Sequence, residues 1–446
     1  MSYSALWFSQ LQFFSSVSFM AVSLAMSLGL SWLLVYIRVR ALGEQHLLWL
    51  PVYRFWVRIF ALAFILSFAS SMPVLIQLGS LWPRLLPKIY AVSGPILAMT
   101  LFGALVFKAS FLGLMLYGQR QLSEWLHALV VCGVAVGNTF VVLCLMVLVS
   151  WVYTPTGVLW LEGSYQVQRW TEVIFNPSFG WYSAQFFSTS FLMVAGLVMA
   201  ILSMQSLRKP LGEGERRVFK IAVFLGSGAW LALAGVMVAS TISLADYQPM
   251  KAAAAMGYWG GGSVPRWLWV AWPSTADLTN YYEMGWNSKQ AWWLAYDAEG
   301  QPIGLDKMVG MTPPVGIVFW AVRLGLVASA VMAFVLLKAW RTGLKRHYDP
   351  SALSPRGRHT FVAAGFVTPL ILLSGLAYHY FGAFPYMVGQ AITFAEIAAT
   401  RSLSESMVSV VAYGLVYFLL IIGFISLVRY VARYGVISVA RRRGRA

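Results

Sequence analysis

Long apolar runs separated by short polar segments dominate this chain. Nine of them reach the roughly 20 residues that a helix needs to cross about 30 Å of hydrocarbon. They are Ser16 to Ile37, Phe55 to Leu78, Ser93 to Tyr117, Trp125 to Tyr153, Ser183 to Leu207, Val218 to Ser243, Pro314 to Trp340, Thr360 to Phe381 and Met407 to Tyr430. The pattern predicts an all-α polytopic membrane protein with about nine transmembrane helices in a single membrane domain, 1–446. Basic residues then orient it. Arg38 and Arg40, Arg120, Arg208 to Arg217, and Arg341 to Arg358 follow helices one, three, five and seven. Positive-inside counting places the N-terminus outside and the C-terminus in the cytoplasm, and an odd number of spans requires opposite ends.

Composition narrows the class further. Of 446 residues, 59% are hydrophobic and 11% charged, where a soluble protein carries about 25% charged residues. A soluble enzyme and a disordered chain are both excluded. The net charge of +17 would suggest nucleic acid on a soluble protein. Here the basic residues sit between apolar runs, so nucleic acid is not an expected partner. The terminal Arg441, Arg442, Arg443 and Arg445 read as a cytoplasmic end facing anionic membrane lipid. Cys132 and Cys144 share one apolar run without metal or redox spacing, so neither a disulfide nor a metal site is expected. No basic residue precedes the first apolar run, so no cleavable signal is expected.

One connection differs from the rest. Residues 244–312 form the outer loop between helices six and seven and hold seven of the twenty tryptophans, Trp259, Trp267, Trp269, Trp272, Trp286, Trp292 and Trp293. Loops of this length without structure of their own are usually lids or binding elements, and tryptophan favours the headgroup layer. A packed interfacial cap and a binding loop both remain open. Within the spans, Lys108 and Arg323 are buried charges that must each meet a carboxylate, a carbonyl, an anion or water. Of the five histidines, only His379, in Tyr378-His379-Tyr380, lies within a span at the outer end. A packing role and haem ligation are the two readings for it.

The order of segments resembles subunit I of the cytochrome bd-type quinol oxidases. The resemblance runs through Leu11-Gln12-Phe13, Leu28-Gly29-Leu30-Ser31-Trp32, Phe55-Trp56, Gly79, Trp82, Gly94-Pro95 and Ser110-Phe111-Leu112-Gly113-Leu114. It continues through His127, Gly137-Asn138, Asn176-Pro177, Gln248-Pro249-Met250-Lys251-Ala252-Ala253, Arg323, Gly375 and Pro385. It covers nearly the whole chain, with no single decisive motif.

The departures concern the redox centres. The resemblance implies a haem-ligating His in helix one, a His in helix five and a Met in helix seven. This chain has Met20, Gln185 and Gly325 there. Two helix-three glutamates are Thr100 and Lys108, a helix-eight glutamate is Tyr380, and the companion acid of the quinol-loop Lys251 is Met256. These departures lead to the expectation of a non-haem structural or assembly subunit of a bd-like oxygen reductase in the prokaryotic cell (inner) membrane. This chain then holds no catalytic residues and no cofactor, and its partner, a subunit I-like chain, carries the haems. Two alternatives stand beside it. One is a redox-active subunit holding a single b-type haem on His379 and Met20. The other is a quinone-binding or anchoring subunit of a different respiratory complex, with Lys251 as the quinone contact.

Overall fold

A computed structural model describes residues 3–260, 264–287, 291–308 and 310–434, apart from the side chains of Lys108, Ala109, Arg120, Met308 and Tyr434. The Lys108 side chain and the arginines of 441–445 therefore lie outside the described residues. Nine described helices are long and apolar enough to cross a membrane: Tyr3–Arg40, His46–Ser80, Leu85–Tyr117, Glu124–Tyr153, Trp170–Ser206, Glu213–Leu244, Val315–Arg346, Pro355–Gly382 and Leu403–Arg433. These are helices one to nine below.

Each helix extends past its apolar run at one end or both, and several of the starts carry a side-chain cap. Ser123 accepts from Leu126 N to start helix four, and Ser354 accepts from Gly357 N, with Pro355 next to it, to start helix eight. Glu215 Oε2 accepts from Gly212 N at 2.7 Å, satisfying an orphan donor at the start of helix six. The many serines and threonines inside the spans return their hydroxyls to the preceding turn, as Ser190 does to Phe186 O and Thr368 to Ala364 O. Helix three departs from α geometry at Ala104–Ala109, a π-helical segment that contains Lys108.

Two cores result. The first fills the interior between helices one, two, four, five, six, seven and eight, around Leu28, Trp56, Phe60, Met199, Phe219 and Phe361. The second lies at one end of the bundle, where Phe13, Trp82, Trp151, Phe381 and Phe394 meet residues of the long connection such as Ala253, Ala254, Trp293 and Leu305. Helix nine is peripheral. Tyr417 donates to Ser16 Oγ at 2.7 Å and stacks on Phe19, while Val408, Val411, Leu415 and Phe418 are exposed.

The connection 244–312 is not the structureless loop its polarity and length suggest. It opens with a helix, Pro249–Met256, and continues as an antiparallel hairpin of Arg266–Ser274 (β1) and Thr279–Asn287 (β2). Two more two-stranded hairpins, Val158–Leu161 with Ser164–Val167 and Tyr386–Val388 with Ile392–Thr393, cover connections of an otherwise helical chain.

Candidate functional site

The helix Pro249–Met256 has proline at its first turn and ends at Gly257 in the left-handed region, where a side chain would be strained (φ +65°). It carries Lys251 into the bundle, leaving that residue 4% exposed. Gly382 makes room, since a Cβ there would run into the Lys251 methylenes. The Nζ lies 3.1 Å from the Tyr182 hydroxyl and 3.3 Å from His379 Nδ1. Around it stand the rings of Tyr153, Tyr182 and Tyr378, with centroids 5.4, 5.7 and 5.0 Å away, within the range of a cation–π attraction. Among the described residues no carboxylate pairs with it. Burial without a counter-charge pushes the amine down to about 7.

The hydrogen bonds beyond Lys251 run in one sense. When Lys251 is protonated it can only donate, so His379 Nδ1 then accepts and its Nε2 carries the proton. That Nε2–H donates to Gln185 Oε1 at 2.9 Å, and Gln185 Nε2 donates to Ser240 Oγ at 2.9 Å. Ser240 Oγ donates in turn to Met237 O. Lysine, histidine, glutamine and serine from four different helices thus form one chain of satisfied polar groups.

Arg323, 5% exposed, finds carbonyls and, among the described residues, no acid. Its Nε and Nη2 donate to Leu268 O at 3.2 and 2.7 Å, and Nη1 donates to Phe319 O at 3.1 Å and to Ala255 O. The guanidinium sits 3.5 Å from the Phe319 ring centroid. Ala255 belongs to the last turn of the loop helix, where a cation is favoured by the helix dipole. Arg323 therefore ties both the loop helix and strand β1 to helix seven.

The positions singled out by resemblance lie in packed surroundings. Met20 is half-buried against the second core. Gly325 faces helix eight so closely that a Cβ would come within 3.3 Å of Ser374 Cβ. Thr100 returns its hydroxyl to Ile96 O. Tyr380 donates to Gln10 O at 3.1 Å and is ringed by Phe14, Phe381 and Phe384 at 5.2–5.4 Å. Met256 is buried at the end of the loop helix. His379 and Lys251 are brought into contact, whereas Arg323 bonds to the end of the same loop helix and to strand β1.

Residues 8–436 match the family described as cytochrome bd terminal oxidase subunit I. The chain belongs to this family. Its sequence is 24% identical over 435 residues to cytochrome bd ubiquinol oxidase subunit 1 of Bacillus subtilis (strain 168), covering 94% of this chain and 91% of that one. It is 25% identical over 262 residues to cytochrome bd-II ubiquinol oxidase subunit 1 of Escherichia coli (strain K12), 58% of this chain and 51% of that one. The fold matches the bd oxidase from Geobacillus thermodenitrificans with a TM-score of 0.84 at 18% identity, covering 97% of this chain and 99% of that chain. Membership makes this subunit I-like protein a multi-pass protein of the bacterial cytoplasmic membrane, in a family of oxidase subunits.

Sequence reasoning missed the aromatic shell of this subunit I-like chain. Tyr153, Tyr182 and Tyr378 stand near the ends of three different helices, and nothing in their spacing marks them as neighbours. The one available signal was an uncompensated lysine in the loop, which requires some shell of π-faces or oxygens once buried.

Proposed function

We propose that this chain is a non-haem structural subunit of a cytochrome bd-like oxygen reductase, paired with a haem-bearing subunit I-like chain. The observation that carries this reading is Gln185. It stands where the resemblance calls for a haem-ligating histidine, and both ends of its amide are already hydrogen-bonded, to His379 and Ser240. Haem iron is held by His, Met, Cys or Tyr side chains. An amide does not fit that role, and neither does Gly325, which has no side chain to offer. Position 380 holds an aromatic packed among aromatics, not a carboxylate able to carry protons.

The single-haem alternative on His379 and Met20 loses support from the same network, because both ring nitrogens of His379 are engaged. The quinone-binding alternative keeps one specific observation: Lys251 lines a cavity of about 320 Å³.

Co-purification tests the pairing. An affinity-tagged copy expressed in its native membrane should bring down a second polytopic chain, and haem assigned chain by chain should lie in that second chain. Recovery of the tagged chain with no partner would contradict the reading. The proposed orientation is tested separately with single cysteines at Thr275 and Lys345, both exposed, in a background lacking Cys132 and Cys144. An impermeant thiol reagent on intact spheroplasts should label position 275 only. Labelling confined to position 345 would invert the topology.

A further inference from the structure

The hairpin of β1 and β2 turns a few side chains to the bundle and leaves the rest bare. Leu268 and Ala271 of β1 are buried with Phe319 of helix seven, and Leu268 O accepts from Arg323. The neighbouring positions face outward. Trp269, Val270 and Trp272 on β1 and Tyr281, Met284 and Trp286 on β2 are exposed, Trp272 at 65% and Met284 at 66%. The register couples them across the strands: Val270 pairs with Met284 and Trp272 with Tyr281, and the Trp269 and Trp286 rings meet at 5.3 Å. The only ionic groups of the two strands, Arg266 and Glu283, pair with each other at 2.7 Å, so the strands carry no net charge. An exposed apolar patch of this kind marks a contact with protein or with membrane.

Depth decides between the two. The basic end of helix seven starts at Arg341, and the roughly 20 residues that cross about 30 Å of hydrocarbon, counted back from there, end near Ala321. The Arg323 bonds and the Phe319 contact therefore hold β1 at the outer boundary of the hydrocarbon. On the adjoining face of helix seven, Trp320 and Leu324 are exposed at that same level, so the patch stands beside side chains that already face lipid. We infer that the hairpin is an interfacial anchor, its Trp269, Trp272, Met284 and Trp286 seated in the headgroup layer of a phospholipid bilayer. Tryptophan and tyrosine are the residues enriched at that depth. A two-stranded ribbon also has open backbone edges, which headgroups and their water satisfy and hydrocarbon does not. The inference needs only that the chain spans a bilayer, so it holds whether or not the chain carries haem or has a partner.

Fluorescence quenching in nanodiscs of phosphatidylcholine and phosphatidylglycerol tests the placement. The full-length chain, with any chain that co-purifies, carries bimane on a single cysteine in a background lacking Cys132 and Cys144. The test variants are Trp272→Cys and Met284→Cys. Leu324→Cys is the lipid-facing control and Glu299→Cys, at an exposed turn, the aqueous one. A nitroxide on the acyl chain close to the headgroup should remove most of the emission at positions 272 and 284, as at 324, while iodide removes little. Position 299 should show the reverse. Met284→Cys leaves every tryptophan in place, so its result stands even if loss of Trp272 loosens the hairpin. Quenching at position 284 by iodide and not by the nitroxide would place the hairpin in water and overturn the inference. Shielding from both quenchers would overturn it too, by showing that protein covers the patch.

Discussion

Arg323→Met is expected to release the long loop from the bundle while leaving the nine helices in place. The guanidinium supplies donors to two loop carbonyls, Leu268 O and Ala255 O, and to Phe319 O of its own helix. A buried acceptor left without its donor costs about 1–3 kcal/mol. Removing a buried charge returns part of that, because methionine needs no solvation. A net destabilisation of the loop by about 2–4 kcal/mol results from those two effects. Arg323→Lys should fall between, since one ammonium cannot reproduce a fork that reaches strand β1 and the loop helix together. Limited trypsin digestion reads the effect directly, because Arg266 and Lys307 lie within the loop. The parent chain should resist cleavage there, and Arg323→Met should be cut at both positions well below its melting temperature. Equal resistance of the two proteins would show that the apolar contacts of the second core hold the loop unaided.

Nine spans were legible because a bilayer imposes a minimum apolar length, and no other arrangement accommodates runs such as Met407 to Tyr430. Their ends were less so. Helix one begins at Tyr3, well before Ser16, because Leu6, Trp7, Leu11 and Phe14 pack against the second core. The loop's internal structure was hidden for a different reason. Strand β1 carries Trp267, Trp269 and Trp272, and register shifts at Leu268/Val270 and Val270/Trp272 break the alternation that would mark a strand.

The candidate site was legible only in fragments. His379 and Arg323 stood out as titratable or charged groups within apolar runs, and Lys251 only through the resemblance. That Arg323 would be answered by backbone was one of several options, and the helix C-terminus that answers it could not be placed before the loop helix was known. The contact between Lys251 and His379 spans 128 residues, and that between His379 and Gln185 spans 194. No local pattern encodes such pairs. Gln185 was identified by resemblance as a missing ligand, but its role as the link between helices five, six and eight appears only in three dimensions.

On the proposed reading, this subunit I-like chain keeps the family's scaffold without its iron. Gln185 and Gly325 stand at two ligand positions of the resemblance, and the His379 ring is held at both nitrogens by Lys251 and Gln185. A pyridine haemochrome assay on the full-length chain, separated from any partner after membrane extraction, measures this most directly. No stoichiometric haem is expected, with no change in His379→Ala. One haem per chain, lost in His379→Ala, would contradict the reading and assign the iron to the histidine placed here in a hydrogen-bonded network.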